Sequence, residues 1–235
     1  MLLKVDNIQI NYDNHLAIKG CSIQINEGEI VGLFGHNGAG KSSILKSILG
    51  YTPVNEGQIY YKGKPITGRN ISENTSEGIT LIPQGFGVFS DLTVEENLKL
   101  AVHNSCLPKA KINSQLNIVY DLFPILYEKR KQKANFLSGG QQQMVKMGMG
   151  LMKNPTLMLL DEPSLGLSPA LAEMVLEKVA EFNKMFNMAV LIVEQNVSQT
   201  LFLVDRVYFL RMGQIIHQVE NVEEIKSRDN FWEFF

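Results

Sequence analysis

A strand, a glycine-rich turn and a helix are predicted to follow one another in residues 29–50, EIVGLFGHNGAGKSSILKSILG. The turn fits the pattern G-x-x-x-x-G-K-[ST], in which glycines let successive backbone N–H groups point at one anion. The pattern predicts that Lys41 reaches the β- and γ-phosphates of a nucleotide and that the Ser42 hydroxyl holds Mg²⁺. We expect nucleotide contacts along the loop and the first helical turn, at Gly35, His36, Asn37, Gly38, Ala39, Gly40, Lys41, Ser42 and Ser43.

The composition is that of an ordinary globular chain, with 235 residues of which 45% are hydrophobic and 20% are charged. The net charge of −2 creates no overall basic field that would attract nucleic acid. Cys21 and Cys106 lack the C-x-x-C spacing of a metal or redox site, which is typical of a reducing compartment. No apolar run in the sequence approaches the roughly 18 residues of a membrane-spanning helix. We therefore expect a cytoplasmic protein without a nucleic-acid partner, which contacts a membrane only through other subunits.

Short strands are predicted on either side of the phosphate loop in sequence. Alternating apolar residues predict strands at 2–10 and 17–25, joined by a polar turn from Tyr12 to His15. With another strand at 58–62 they look like a small antiparallel layer beside the nucleotide strand. The segment 78–83 is apolar and predicts a buried strand that leads into Gln84.

The middle third of the chain is predicted to be helical, because capping boxes at Thr93 and Ser138 begin two helices and Pro124 interrupts a third. The last third alternates again, with strands at 156–160, 188–193, 207–210 and 214–219 and helices at 170–186 and 198–204. This order predicts an α/β P-loop NTPase core, a mostly parallel sheet with helices on both faces, plus the antiparallel layer. We expect one domain, 1–235, with its core at 1–84 and 155–235 and an inserted α-helical subdomain at 85–154.

Two acidic residues end the buried strand LMLL. In open α/β sheets ligands lie at the carboxyl ends of the strands, so Asp161 is expected to hold Mg²⁺. Glu162, directly after it, is expected to polarise an attacking water. The alternative is that the strand ends in two acidic residues that have no role in a site.

A second exposed helix N-terminus is predicted at Leu137-Ser138-Gly139-Gly140-Gln141, and such an end is another anion site. Two phosphate-binding helix ends in one chain make sense if two chains pair head to tail. Each nucleotide would then lie between Lys41 of one chain and Ser138 of the other. Nucleotide contacts are therefore also expected at Ser138, Gly139, Gly140 and Gln141.

With these three motifs the chain resembles the nucleotide-binding subunit of an ABC transporter over nearly its whole length. The resemblance implies ATP and Mg²⁺ as cofactors, Glu162 as the catalytic carboxylate, and ATP hydrolysis that drives membrane permease subunits. It implies that Tyr12 stacks on adenine, the alternative being an aromatic side chain packed on the sheet. It also implies that Gln84 joins Mg²⁺ and water to the helical lobe. The segment that begins at Gly85 and ends at Asp91 resembles the surface that receives a short helix of the membrane subunit.

Three positions depart from the common family pattern. Gln195 stands where a histidine usually contacts the γ-phosphate, and its amide can donate to a phosphate but carries no positive charge. Leu167 replaces a common aspartate and Met149 a common arginine. The runs EPSLGL and VEQN look like the ATPases of branched-chain amino acid and urea or amide importers. That branch implies pairing with a like or a different ATPase subunit, and an extracytoplasmic solute-binding protein in the complex.

Three other functions remain open at this point. ATPases of lipopolysaccharide or lipid exporters have a similar layout but resemble this chain less at Gln195. Soluble ATPases of the same superfamily that serve DNA repair or translation typically show coiled-coil insertions, zinc cysteines or two fused cassettes. A small-molecule kinase would leave residues 137–141 without a role.

Overall fold

The computed structural model describes residues 1–13, 15–85, 87–103 and 107–223, in which there are ten strands and eight α-helices. The strands are β1 (Leu3–Tyr12), β2 (His15–Ile25), β3 (Ile30–Phe34), β4 (Glu56–Tyr61), β5 (Lys64–Pro65), β6 (Ile79–Ile82), β7 (Leu157–Asp161), β8 (Ala189–Glu194), β9 (Arg206–Arg211) and β10 (Gln214–Val219). The helices are α1 (Lys41–Leu49), α2 (Ile71–Ser76), α3 (Val94–Leu100), α4 (Lys109–Leu122), α5 (Pro124–Glu128), α6 (Gly139–Met152), α7 (Pro169–Phe186) and α8 (Val197–Thr200), with a 3₁₀ turn at Ala134–Phe136.

The larger sheet has six strands in the order β10-β9-β3-β8-β7-β6. Neighbouring strands from β9 to β6 are parallel, and β10 pairs with β9 in the antiparallel direction. Every residue of β3, β7 and β8 is buried. A strand buried on both faces must be apolar at nearly every position, which explains the continuous runs LMLL and AVLIV in the sequence.

Each face of the larger sheet packs against a different set of elements, since successive strand residues point to opposite faces. On one face Leu33 and Leu159 pack with α1 and with a four-stranded antiparallel sheet, ordered β2-β1-β4-β5. On the other face Phe34 and Leu160 pack with α3, α4, α6 and α7. The predicted fold class is therefore confirmed: a largely parallel sheet covered on both sides, with a small antiparallel sheet.

The described part of residues 85–154 contains helices and no strand, apart from an isolated bridge between Thr93 and Lys133. The predicted capping boxes at Thr93 and Ser138 are both formed. The division into a core and an inserted subdomain at these boundaries stays a prediction. None of the described helices is long and apolar enough to cross a bilayer.

Two local predictions were inaccurate, and one helix was not predicted. Tyr12 and His15 belong to paired strands, so the predicted turn between them is shorter, and residue 14 lies outside the described residues. Helix α8 ends at Thr200 instead of 204. Helix α2 was not predicted, although Asn70 and Glu73 form a capping box at its start. Cys21 is buried, and Cys106 is outside the described residues.

Candidate nucleotide-binding site

Four polar segments meet at one edge of the larger sheet because they follow four of its parallel strands. The phosphate loop follows β3, and Gln84 follows β6. Asp161 and Glu162 lie at the end of β7, and Gln195 follows β8. The register places Asp161 opposite Val193 and Phe34 opposite Glu194, so the strand ends are level. Ligands of open α/β sheets bind at this carboxyl edge.

The phosphate loop has glycines at positions where a side chain would clash or would be strained. A side chain at Gly35 would clash with the carbonyl of Leu210, whereas one at Gly38 would meet nothing within 4 Å. Gly38 and Gly40 have φ of 79° and 107°, a left-handed region that suits glycine. No side chain caps the N-terminus of α1. Its first N–H groups are thus left to bind an anion, as the sequence predicts.

Lys41 is a buried cation at the centre of the site, with 4% of its surface exposed. Its Nζ donates to the carbonyl oxygens of Gly35 (2.8 Å) and His36 (3.2 Å). The same atom lies 3.3 Å from Oε1 of Glu162, which is also buried. The loop therefore holds the ammonium group above the strand ends, where it can neutralise phosphate charge.

Ser42 and Asp161 form the pair that the sequence predicted for Mg²⁺. Ser42 Oγ donates to Asp161 Oδ1 over 2.9 Å, joining the start of α1 to the end of β7. Burial raises the pKa of the Asp161 carboxyl, and the Ser42 hydrogen bond opposes that rise. A hydroxyl and a carboxylate are the oxygen ligands that Mg²⁺ prefers, so these residues fit the ion. Gln84, the third predicted ligand, donates from Nε2 to Glu162 Oε2 (2.9 Å), and its role at Mg²⁺ stays a prediction.

Glu162 is the point at which the segments join. Besides Lys41 and Gln84, it accepts a hydrogen bond from Nε2 of Gln195 at Oε1 (3.0 Å). Gln195 Nε2 also donates to Asn37 Oδ1 in the phosphate loop (2.6 Å). The backbone of Glu162 has φ of 48°, and its N–H donates to the Val193 carbonyl (2.9 Å). A carboxylate held at this density of contacts has a fixed orientation, which a general base requires.

Tyr12 stands at the mouth of a cavity of about 640 Å³ that also contains Lys41, Ser42 and Glu162. The Tyr12 hydroxyl donates to Ser43 Oγ (3.1 Å), and 43% of the residue surface is exposed. The sequence did not predict five further lining residues, which come from the start of β2 and the β9–β10 turn: His15, Leu16, Ala17, Lys19 and Met212. Because residues 12–15 were predicted to form a turn, the sequence did not indicate that β2 begins beside Tyr12.

The predicted contacts of residues 138–141 are not made within one chain. Ser138 Oγ accepts from the N–H of Gln141 (3.4 Å), and Gln141 Oε1 accepts from the N–H of Ser138 (3.1 Å). A Cβ at Gly139 would meet nothing within 4 Å, whereas a Cβ at Gly140 would contact the side chain of Leu171. None of the four lines the cavity that holds Lys41. Their role in binding a neighbour's nucleotide stays a prediction.

The comparisons with known proteins agree with this geometry. The family model described as "ABC transporter" matches residues 18–165. The high-affinity branched-chain amino acid transport ATP-binding protein BraG of Pseudomonas aeruginosa is 40% identical over 215 residues, covering 92% of this chain and 91% of BraG. The probable branched-chain amino acid transport ATP-binding protein LivF of Archaeoglobus fulgidus is 34% identical over 214 residues, covering 91% and 90%.

A solved structure shares the whole fold. The ADP conformation of MJ1267, an ATP-binding cassette of an ABC transporter, superposes with a TM-score of 0.90 at 28% identity. The match covers 99% of this chain and 96% of that chain. Motifs, strand-end geometry, family match and fold thus lead to one result. This chain belongs to the ABC transporter family, as an ATP-binding and ATP-hydrolysing subunit.

Proposed function

We propose that this chain powers the import of branched-chain amino acids, or of a related small solute, by membrane permease subunits. Glu162 is contacted by Lys41, Gln84 and Gln195, and this arrangement is the main structural support for the ATPase chemistry. The 40% identity to a branched-chain amino acid transport protein supports the choice of solute. In the cell the chain would lie in the cytoplasm, on the inner face of the membrane.

In this proposal the chain's own residues divide the work of hydrolysis. The N–H groups at the start of α1 and the Lys41 ammonium hold the β- and γ-phosphates and neutralise their charge. Glu162 accepts a proton from the attacking water, in the orientation that Gln84 and Gln195 impose on it. Gln195 donates to a γ-phosphate oxygen without adding positive charge, so we expect slower turnover than a histidine would allow.

Mg²⁺ would be held by Ser42, Asp161 and Gln84, with ATP as the nucleotide. When bound, the ion supplies charge neutralisation at the phosphates. The direct hydrogen bond between Ser42 and Asp161 supports this assignment, because it brings two oxygen ligands to one place. Tyr12 would place its ring against adenine, beside the hydroxyl contact that it makes with Ser43.

The complete site would need a second ATPase subunit, either a copy of this chain or a different one. The exposed N-terminus of α6, with Ser138 and Gly139 at its tip, is free of contacts with its own chain's cavity. It would bind the nucleotide held by the neighbouring chain, and its N–H groups would complete the phosphate cradle.

The membrane permease would dock near residues 85–91. The Gly85 carbonyl accepts a hydrogen bond from Lys146 of α6, and 53% of Phe89 is exposed. Gly85 directly follows Gln84, whose side chain contacts Glu162. Movement of the docked segment would therefore be transmitted to Glu162 through Gln84. A solute-binding protein outside the membrane would complete the importer.

Reconstitution tests the proposal. The chain would be expressed with the membrane subunits encoded beside its gene, purified as a complex and placed in liposomes with Mg-ATP. ATP-dependent uptake of leucine, coupled to phosphate release, is the expected result. Export of lipid by the complex would instead favour the ATPase of a lipid exporter. Co-purification with nucleic acid and without a membrane protein would favour a non-transport ATPase.

A further inference from the structure

Met212 occupies a position that packing within the chain does not explain. It is the first of the two residues that connect β9 to β10, and 76% of its surface is exposed. The side chain nevertheless lines the cavity that also contains Tyr12 and Lys41. A large apolar side chain thus stands in solvent at the rim of the nucleotide site.

The backbone at Met212 is in an unfavourable conformation for methionine. Met212 has φ of 48° and Gly213 has φ of 80°, and two positive values in a two-residue hairpin are the pattern of a type I′ turn. Asn, Asp and Gly adopt the first position of this turn readily, whereas an unbranched apolar residue there is uncommon. Strain of this kind is often found at functional sites.

A second hairpin in the chain has the same pair of positive φ values, and the side chain of its first residue does make contacts within the chain. Lys62 and Gly63 connect β4 to β5 with φ of 51° and 74°. The Lys62 ammonium donates to the Glu77 carbonyl (3.1 Å) and lies 4.9 Å from the centre of the Tyr61 ring. Lys62 is therefore explained by contacts within the chain. Met212, by contrast, is 76% exposed, so contacts within the chain do not explain it in the same way.

The turn is fixed relative to the phosphate loop and to β2. The N–H of Gly213 donates to the Ala39 carbonyl (3.0 Å), and the Gly213 carbonyl accepts from the N–H of Lys19 (2.8 Å). A Cβ at Gly213 would clash with the Ala17 carbonyl, so the turn lies directly on β2. Met212 is consequently held at a set position between the loop and the strand that begins beside Tyr12.

We propose that Met212 contacts the base of the bound nucleoside triphosphate, as an affinity-determining residue of the site that Tyr12 also forms. The inference rests on the nucleotide-binding function and names the part of the ligand that Met212 meets. A thioether makes favourable contacts with planar rings and tolerates varied geometry. Met212 therefore adds affinity for a base without reading its hydrogen-bonding groups.

Binding of two ligands to Met212→Asn and Met212→Leu tests the proposal. Asparagine suits the turn but removes the apolar contact, whereas leucine keeps it. By titration calorimetry, Mg-ATP should bind Met212→Asn about fivefold more weakly than wild type, and Met212→Leu with nearly unchanged affinity. Magnesium tripolyphosphate, which has the phosphates but no base, should bind all three proteins equally.

Thermal stability and a matched methionine provide the controls. Without nucleotide, Met212→Asn should melt at a higher temperature than wild type, because asparagine relieves the strained turn. A weaker ATP affinity in a more stable protein is not a folding defect. Met185, on α7 and outside the cavity lining, is also exposed (55%), and Met185→Asn should leave ATP affinity unchanged.

Two results would overturn the assignment of Met212. One is unchanged ATP affinity in Met212→Asn; the other is an equal loss for ATP and tripolyphosphate, which would place the effect on the phosphate loop. If the wild-type protein bound neither ligand, the proposed function itself would fail, and this inference with it.

Discussion

At the residue scale, Glu162 shows how one side chain is prepared for chemistry by several segments. Lys41 approaches it from the start of α1, and Gln84 and Gln195 approach it from beyond the ends of β6 and β8. Its backbone takes a left-handed conformation, with φ of 48°, which costs about 1–3 kcal/mol unless the surroundings compensate. Such a cost is consistent with a residue selected for function and not for stability.

Glu162→Gln separates nucleotide binding from hydrolysis. The amide keeps the size of the side chain but cannot accept a proton from water, so phosphate release should fall by about 100-fold or more. ATP affinity should change little, because the phosphates are held by the loop and Lys41. Glu173→Gln, an exposed position on α7, is the matched control. Hydrolysis at the wild-type rate in Glu162→Gln would show that the carboxylate is misassigned.

Glu194 should make the stability of the protein depend on pH. It is 3% exposed and accepts the N–H of Ser164 (2.9 Å). Burial raises the pKa of its carboxyl above the ordinary value of 4.5, with the Ser164 contacts opposing and nearby Glu162 adding to the rise. The folded state thus binds more protons, so this group's contribution to stability falls as pH rises from about 4.5 through the raised pKa.

Glu194→Gln removes that titration but keeps an oxygen that can accept the Ser164 N–H. Melting temperatures measured between pH 5 and 8 should show the variant gaining on wild type as pH rises. Glu173→Gln, at an exposed position of α7, controls for the loss of one carboxyl group. A variant that loses stability relative to wild type at higher pH would contradict the assignment of a raised pKa.

At the element scale, α6 connects the predicted anion site at residues 137–141 to the core. Its first residue is capped by Ser138, and its later glycines are packed tightly against neighbouring elements. A Cβ on Gly148 would lie 2.8 Å from side-chain atoms of Leu98 and Val119, which belong to α3 and α4. Close packing therefore accounts for Gly148 and Gly150 in this helix, in spite of the low helix propensity of glycine.

Gly148→Ala should destabilise the fold by about 1–3 kcal/mol, because neighbouring side chains must move. Gly139→Ala, at the open end of the same helix, should change stability by less than about 1 kcal/mol. Urea unfolding followed by circular dichroism measures both. Equal stability of the two variants would mean that α6 is packed more loosely than the structure indicates.

Elements with a local sequence signal were predictable, and those fixed by distant contacts were not. Capping boxes at Thr93 and Ser138 mark helix starts within four residues, and the run LMLL marks a strand buried on two faces. Helix α2 has a capping box but is too short to show periodicity. Lys19 and Met212 enter the cavity only because the β9–β10 turn packs on β2, a contact between residues far apart in sequence.

At the scale of the whole molecule, one chain contains two helix ends that are predicted to bind anions and that do not meet. The N-terminus of α1 opens into the cavity with Lys41, Ser42 and Glu162, whereas Ser138 and its neighbours lie outside the cavity lining. We propose that the two ends lie apart because each nucleotide is bound by two chains at once.

Light scattering on Glu162→Gln tests that claim most directly, with the chain alone and mixed with any second ATPase subunit encoded beside its gene. In one of the two samples, Mg-ATP should convert the 26.4 kDa chain to a two-chain complex. Adding Ser138→Arg should abolish pairing while ATP binding persists. A chain that binds Mg-ATP yet stays at its single-chain mass in both samples, or pairs equally well with Ser138→Arg, would contradict the account.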